Sequence, residues 1–309
     1  MPSLVGAEWL DREPLSPGDL LGRTVLVNFW TLTCINWLRQ QPHVRAWARA
    51  YRDDGLVVLA VHTPEFSFEH EADLVRRAKH ARGIDYPVAL DSDHVIWNAF
   101  DNRYWPALYF VDAEGVIRDQ HFGEGRYPGS ERLLQRMLGV DRDLAPVEPV
   151  GVEVEADWDH LRTPETYVGY GRGDLYASPA GFVPDARRSY QRPAHLQLNH
   201  WALNGPWTVG FESVVLEGGA GSIAFRYHAR DVHLVMDSVG AGRPVPFHVL
   251  LDGSVPAAAH GLDVDEDGRG ALADGRLYQL VREPGQVRER TVEIVFMEPG
   301  VRAFAFTFG

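Results

Sequence analysis

Phe29-Trp30-Thr31-Leu32-Thr33-Cys34-Ile35-Asn36-Trp37 contains the only cysteine of this 309-residue chain. The apolar run before it, 24–30, reads as a buried strand, and Leu38, Val44, Trp47, Ala48 and Tyr51 after it share one face of a helix. A strand that gives way to a helix at a cysteine is the setting of a Cys-x-x-Cys redox pair. Here the second cysteine position is Trp37, so an attacking thiol stands without an internal partner. At a helix N-terminus the thiol meets unpaired backbone N–H groups and the positive end of the macrodipole, both of which favour thiolate. Cys34 is thus the candidate nucleophile.

Around this segment, strand-like runs at 25–30, 56–62, 107–112 and 116–121 alternate with helical patterns within 35–53, 68–81 and 130–138. Pro42 should kink the first helix, and Gly55 lies just past its end. Ala113-Glu114-Gly115 reads as a hairpin turn, making the last two strands antiparallel. The pattern predicts an α/β domain over 1–143. Residues 144–163, rich in Asp, Pro, Val and Glu, read as a linker. Beyond it, 164–309 carries alternating runs at 223–228, 232–236, 247–251, 277–281, 291–296 and 303–308, punctuated by Gly-containing turns. That is the pattern of an all-β sandwich, jelly-roll-like in arrangement.

Composition narrows the function classes. A hydrophobic content of 45% with 24% charged residues is that of a globular protein, long enough for two cores. The formal net charge of −13 opposes counterion-driven binding, so nucleic acid is excluded as a partner. The run 24–30 is too short to span a bilayer, and no basic segment followed by an apolar stretch marks an export signal. One cysteine cannot close an intrachain disulfide. The expectation is a cytoplasmic protein with no membrane insertion.

Ligand sites in α/β sheets gather at the carboxyl ends of parallel strands, which brings Thr63-Pro64-Glu65 and Trp105-Pro106 toward Cys34. Glu65 is the candidate acid/base there; its other reading is a turn cap or an ion-pair partner of an arginine such as Arg39. Thr31, Trp37, Trp105 and Pro106 are the candidate substrate-binding residues.

Four stretches, 25–36, Val61-His62-Thr63-Pro64-Glu65-Phe66, 97–106 and His121-Phe122-Gly123-Glu124-Gly125, resemble the DipZ/TlpA-like branch of the thioredoxin superfamily. The likeness continues at Asn199-His200-Trp201-Ala202-Leu203 and at 303–309, which resemble the carbohydrate-binding-module-like β-sandwich appended to DipZ thioredoxin domains. The resemblance implies a thioredoxin-like α/β domain, thiol-disulfide exchange at Cys34, and a cis proline at Pro106; many members of the branch are extracytoplasmic. It also marks departures. Asn28 stands where thioredoxins commonly carry a buried Asp, and an amide cannot titrate. With Trp37 in place of the resolving cysteine, a mixed disulfide must be cleared by an external thiol. Thr31 has the Thr-x-x-Cys spacing of peroxiredoxins, with Val27 replacing that motif's upstream proline.

Asp263, Asp265, Asp267 and Asp274, with Gly268, have the spacing of a calcium loop, although the flanks look like strands. Calcium is the one cofactor considered. Trp201 and Trp207, with His200 and Tyr190, form a candidate aromatic platform for a glycan or protein ligand, or else sandwich core. Three function classes follow. The first is a monothiol oxidoreductase working with an external thiol or thiol-bearing substrate. The second is a one-Cys peroxidase, and the third is a non-redox enzyme or binding scaffold using the remodelled groove.

Overall fold

A computed structural model describes residues 1–5, 7–10, 14–148, 155–240 and 243–309. The chain forms two compact units, Met1–Val154 and Glu155–Gly309. Part of the predicted linker, 149–154, lies outside the described residues.

The first unit contains strands β1 (Glu8–Leu10), β2 (Thr24–Trp30), β3 (Leu56–His62), β4 (Val88–Leu90), β5 (Ala107–Val111) and β6 (Ile117–Phe122). Its helices are α1 (Pro17–Leu20), α2 (Ile35–Ala50), α3 (Ala72–Ala81), α4 (Val95–Ala99) and α5 (Tyr127–Leu138), with a 3-10 turn at Ser67–His70. The sheet order is β1-β4-β3-β2-β5-β6. β2 is parallel to β3 and antiparallel to β5, and every one of its seven residues is buried. A strand buried on both faces has no polar alternation to offer, which is why its sequence reads as a continuous apolar run. Val25, Val27 and Phe29 enter a core with Leu59, Val61, Phe100 and Tyr109. The alternate residues include Asn28, whose amide reaches α2.

The expected helix is α2, running unbroken through Pro42, and all five residues of its predicted face are buried or cap its end. Glu131 of α5, 3% exposed, accepts hydrogen bonds from Trp47 Nε1 (2.8 Å) and Tyr51 Oη (2.6 Å), tying the two helices together. β5 and β6 form the expected hairpin, with Gly115 at φ +79° and Asp112 Oδ1 accepting from Val116 N at 2.8 Å. β1, β4, α1 and α4 were not expected from the sequence. Each has three to five residues, too few for a periodic pattern to emerge.

The second unit is all β: β7 (Thr166–Tyr167), β8 (Arg187–Tyr190), β9 (Trp201–Val209), β10 (Val214–Leu216), β11 (Gly221–His228), β12 (Asp231–Ser238), β13 (Val245–Leu251), β14 (Arg269–Leu272), β15 (Arg276–Arg282), β16 (Glu289–Phe296) and β17 (Val301–Phe308). The path β14-β13-β16-β11-β9-β10-β17-β12-β15 is antiparallel throughout. The six predicted strands are present as β11, β12, β13, β15, β16 and β17. Side chains from both halves of the path, including Trp207, Phe225, Phe247, Tyr278, Phe296 and Phe306, meet in one buried cluster.

β9 links the two halves: its residues up to Asn204 pair with β11, and those from Gly205 onward pair with β8 and β10. Gly205 has φ +101°, and a Cβ there would lie 2.7 Å from Ala220 O and 2.8 Å from Gly221 Cα. Neither backbone atom can rotate away. Gly205→Ala should therefore cost at least about 2 kcal/mol, read by calorimetry as a fall of several degrees in the melting of the second unit. An unchanged melting temperature would contradict this account of the strand switch.

Candidate active site at the Cys34 turn

Cys34 is the N-cap residue of α2, half-buried, with φ −72° and ψ 113°. Its N–H donates to Thr31 O at 3.3 Å, and its carbonyl accepts from Leu38 N at 3.0 Å. The sulfur is thereby carried at the first turn, whose leading N–H groups have no helical acceptor.

Trp37, three residues on, is 1% exposed. Its ring stacks on Trp30 at 4.2 Å with 21° between planes, and its Nε1 donates to Asn28 Oδ1 at 3.3 Å. Asn28 Nδ2 in turn donates to Gln40 Oε1 (2.9 Å), and Gln40 Nε2 to Gly123 O (3.1 Å). The place of the second thiol and its buried acid is taken by an indole and a chain of amides, none of which titrates at accessible pH. Trp37 consequently does not line a substrate groove, as the sequence reading placed it; it is core.

Thr31 is also withdrawn from substrate. It is 0% exposed, and its hydroxyl donates to Glu69 Oε2 at 2.6 Å. Glu69 is the residue that sequence reasoning missed. Although 1% exposed, it also accepts from Thr33 Oγ1 (2.8 Å) and Thr33 N (3.2 Å) through Oε1, and from Glu65 N (2.7 Å) and Phe66 N (3.0 Å) through Oε2. Burial pushes its carboxyl up to about 6, against the downward pull of Thr31 and Phe66 and with an upward push from the charge of Glu65. The usable signal was its capping spacing, a Glu three residues after Phe66 at the start of the 3-10 turn. Glu65 itself is half-buried, and Glu69, four residues later, is bound to the Cys34 turn.

Arg39 does not pair with Glu65. Its Nη1 meets Glu124 Oε1 at 2.9 Å, both side chains being almost fully buried. The Trp105-Pro106 peptide is cis, and Pro106 precedes Ala107, which lies opposite Phe29 in the β2–β5 ladder. Gly123 N donates to Pro106 O at 2.8 Å, joining this turn to the 123–124 loop. Half-buried Trp105 packs on Trp97 at 4.3 Å, while Tyr104, 56% exposed, packs on Phe122. His62, buried edge-on to Trp30, is pushed down to about 3 by burial and by His70, so it stays neutral.

Residues 6–120 match the AhpC/TSA family, and residues 163–309 match the thioredoxin like C-terminal domain. Over 150 residues the chain is 33% identical to the thiol-disulfide oxidoreductase YkuV of Bacillus subtilis, covering 48% of this chain and 96% of that protein. The chain belongs to the thioredoxin-like thiol-disulfide oxidoreductase family. It is also 32% identical to protein DipZ of Mycobacterium tuberculosis along all of its own length, and spans 42% of the length of that relative. Among solved structures, a thioredoxin-like protein in the oxidized form is 30% identical, with a TM-score of 0.42 over 46% of this chain and 96% of that one. Within the thioredoxin-like oxidoreductases the site is thus a Cys-x-x-Cys turn that retains its first position and packs its second. Among the described residues no helix is long and apolar enough to cross a membrane.

In the second unit the structure does not gather the four loop acids. β14 occupies Arg269–Leu272, inside the twelve-residue window, and pairs with β13. Asp263 Oδ1 binds Arg276 (2.7 Å), Asp265 Oδ1 accepts from Arg269 N (2.8 Å), and Asp267 Oδ2 binds Arg269 Nη1 (2.5 Å). Among the described residues no three His, Cys, Asp or Glu side chains stand together to hold a metal. The aromatic platform is likewise absent: Trp201 and Trp207 are 2% and 0% exposed, their indole N–H groups donating to Asp174 O (2.8 Å) and Asn204 O (2.9 Å). They form sandwich core.

Proposed function

We propose that this protein is a monothiol thiol-disulfide oxidoreductase acting on disulfides of thiol-bearing substrates. The single observation that carries this reading is the full burial of Trp37 at the resolving position, beside a half-buried Cys34 at the N-terminus of α2. The Cys34 thiolate attacks one sulfur of a substrate disulfide, forming a mixed disulfide and releasing the other sulfur as thiolate. No second cysteine exists in the chain, so an external thiolate attacks the substrate sulfur, regenerating the Cys34 thiolate and leaving a disulfide between substrate and external thiol. The helix N-terminus favours the thiolate in both the attacking and the leaving role.

Oxidised glutathione is the simplest test. The protein should gain the mass of one glutathionyl group at Cys34 and keep it until a thiol is added. Repeated reduction of a protein disulfide without any added thiol would overturn the proposal. The enclosed Thr31 hydroxyl, bound to Glu69, weighs against the one-Cys peroxidase alternative, because it is not presented to an incoming peroxide.

A further inference from the structure

The 31–34 turn and the 65–66 turn belong to different βα connections, and one side chain fastens them together. Glu69 accepts five hydrogen bonds, two through Oε1 and three through Oε2, and each oxygen faces at least one backbone N–H. A carboxylate has about four lone-pair sites and donates nothing, so these five donors saturate it. A neutral carboxyl group fits differently: wherever its proton sits, it points among donors, and only a reversed threonine hydroxyl can receive it. The backbone N–H groups cannot reverse.

From this geometry we propose that Glu69 is a positioning residue for Cys34, clamping the 31–34 turn against the 65–66 turn in its ionised form and releasing it when protonated. The clamp acts on Cys34 through Thr33, its direct neighbour, whose N–H and hydroxyl both bind Oε1. The titratable groups around the clamp are few. Glu65, on the second turn, opposes ionisation of Glu69 by its own charge; His70 lies exposed on the same 3-10 turn; His62, at the end of β3, is kept neutral by burial. Cys34 is the one ionisable side chain of the 31–34 turn. Because burial pushes Glu69 up to about 6, the clamp releases as pH falls through about 6. The inference rests on Cys34 being the reacting group of the proposed exchange.

The test is the rate of Cys34 alkylation by iodoacetamide, divided by the thiolate fraction measured separately from ultraviolet absorbance. For a thiolate held without a clamp this quotient does not depend on pH. In the wild-type protein it should fall as pH drops through about 6. Glu69→Gln should abolish that inflection, because an amide cannot ionise and can satisfy only one of the two sets of donors. Thr33→Val should lower the quotient at neutral pH by about tenfold or more, the scale expected for a displaced reacting atom, and Thr33→Ser should restore it. A pH-independent quotient in the wild type, or equal rates for Thr33→Val and Thr33→Ser, would overturn the clamp. The threonine pair decides the matter if Glu69→Gln does not fold. Protein that shows the inflection yet forms no mixed disulfide with oxidised glutathione would refute the exchange reaction and leave the clamp standing.

Discussion

Cys34→Ser is expected to lower the rate of thiol-dependent disulfide reduction by at least about a thousandfold, since a serine hydroxyl is un-ionised at neutral pH and no other sulfur nucleophile exists near it. The substitution removes one atom's identity and little volume at a half-buried position, so the fold should persist. Melting temperature and circular dichroism therefore separate lost chemistry from lost structure. Insulin reduction in the presence of reduced glutathione supplies the activity, measured above the rate of glutathione alone. A Cys34→Ser protein that retained more than a few per cent of the wild-type increment would show that the exchange does not pass through Cys34, and the proposed mechanism would fall.

The second large effect is on stability. Trp37→Cys, the change that nominally restores a dithiol motif, is expected to cost about 3–5 kcal/mol, the usual penalty for deleting a buried aromatic side chain. Loss of the indole empties the space beneath Trp30 and leaves Asn28 Oδ1 without its donor. The first unit should melt about 10 °C lower. Trp37→Phe retains most of the ring stack but not the Nε1–H bond, and should lose about 1–2 kcal/mol. If Trp37→Cys were as stable as the wild type, the indole would not be the structural replacement its burial and stacking indicate. The comparison also bears on redox design here: re-creating the pair requires refilling the core and restoring an acid at Asn28, not one substitution.

Much of this architecture is legible along the chain because each long element carries its own periodicity. α2 has an apolar face that survives folding intact, β2 has an uninterrupted apolar run because both its faces are covered, and β13 and β16 alternate between buried and less buried positions, whereas β11 and β12 are buried along most of their length. Short elements escape such reading. β4 is three residues that become a strand only because β3 lies on one side and β1 on the other. For the tryptophans of β9 the sequence leaves a ligand platform and sandwich core both open, and nothing adjacent in the chain reveals that Asp174 O receives the indole N–H of Trp201. In the acidic segment 263–274, spacing shows the carboxylates but not the arginines set against Asp263 and Asp267.

The division at the active site follows the range of the forces involved. The sequence by itself determined the single cysteine, its place at a strand-to-helix junction and the missing second cysteine, since each depends on residues adjacent in the chain, while the cis peptide at Pro106 was implied by the family resemblance. Only the tertiary structure decided what became of the vacated position and that Glu69 is bound to the turn. Trp37 could as well have walled a groove; its burial depends on Trp30 one strand earlier, Asn28 beneath it and Gln40 a turn further on. Glu65 and Glu69 both follow β3 within a few residues. That Glu69 binds this turn depends on where Thr31 and Thr33 arrive from a different strand end, because a hydrogen bond is made only within about 3 Å and the sequence does not measure that distance.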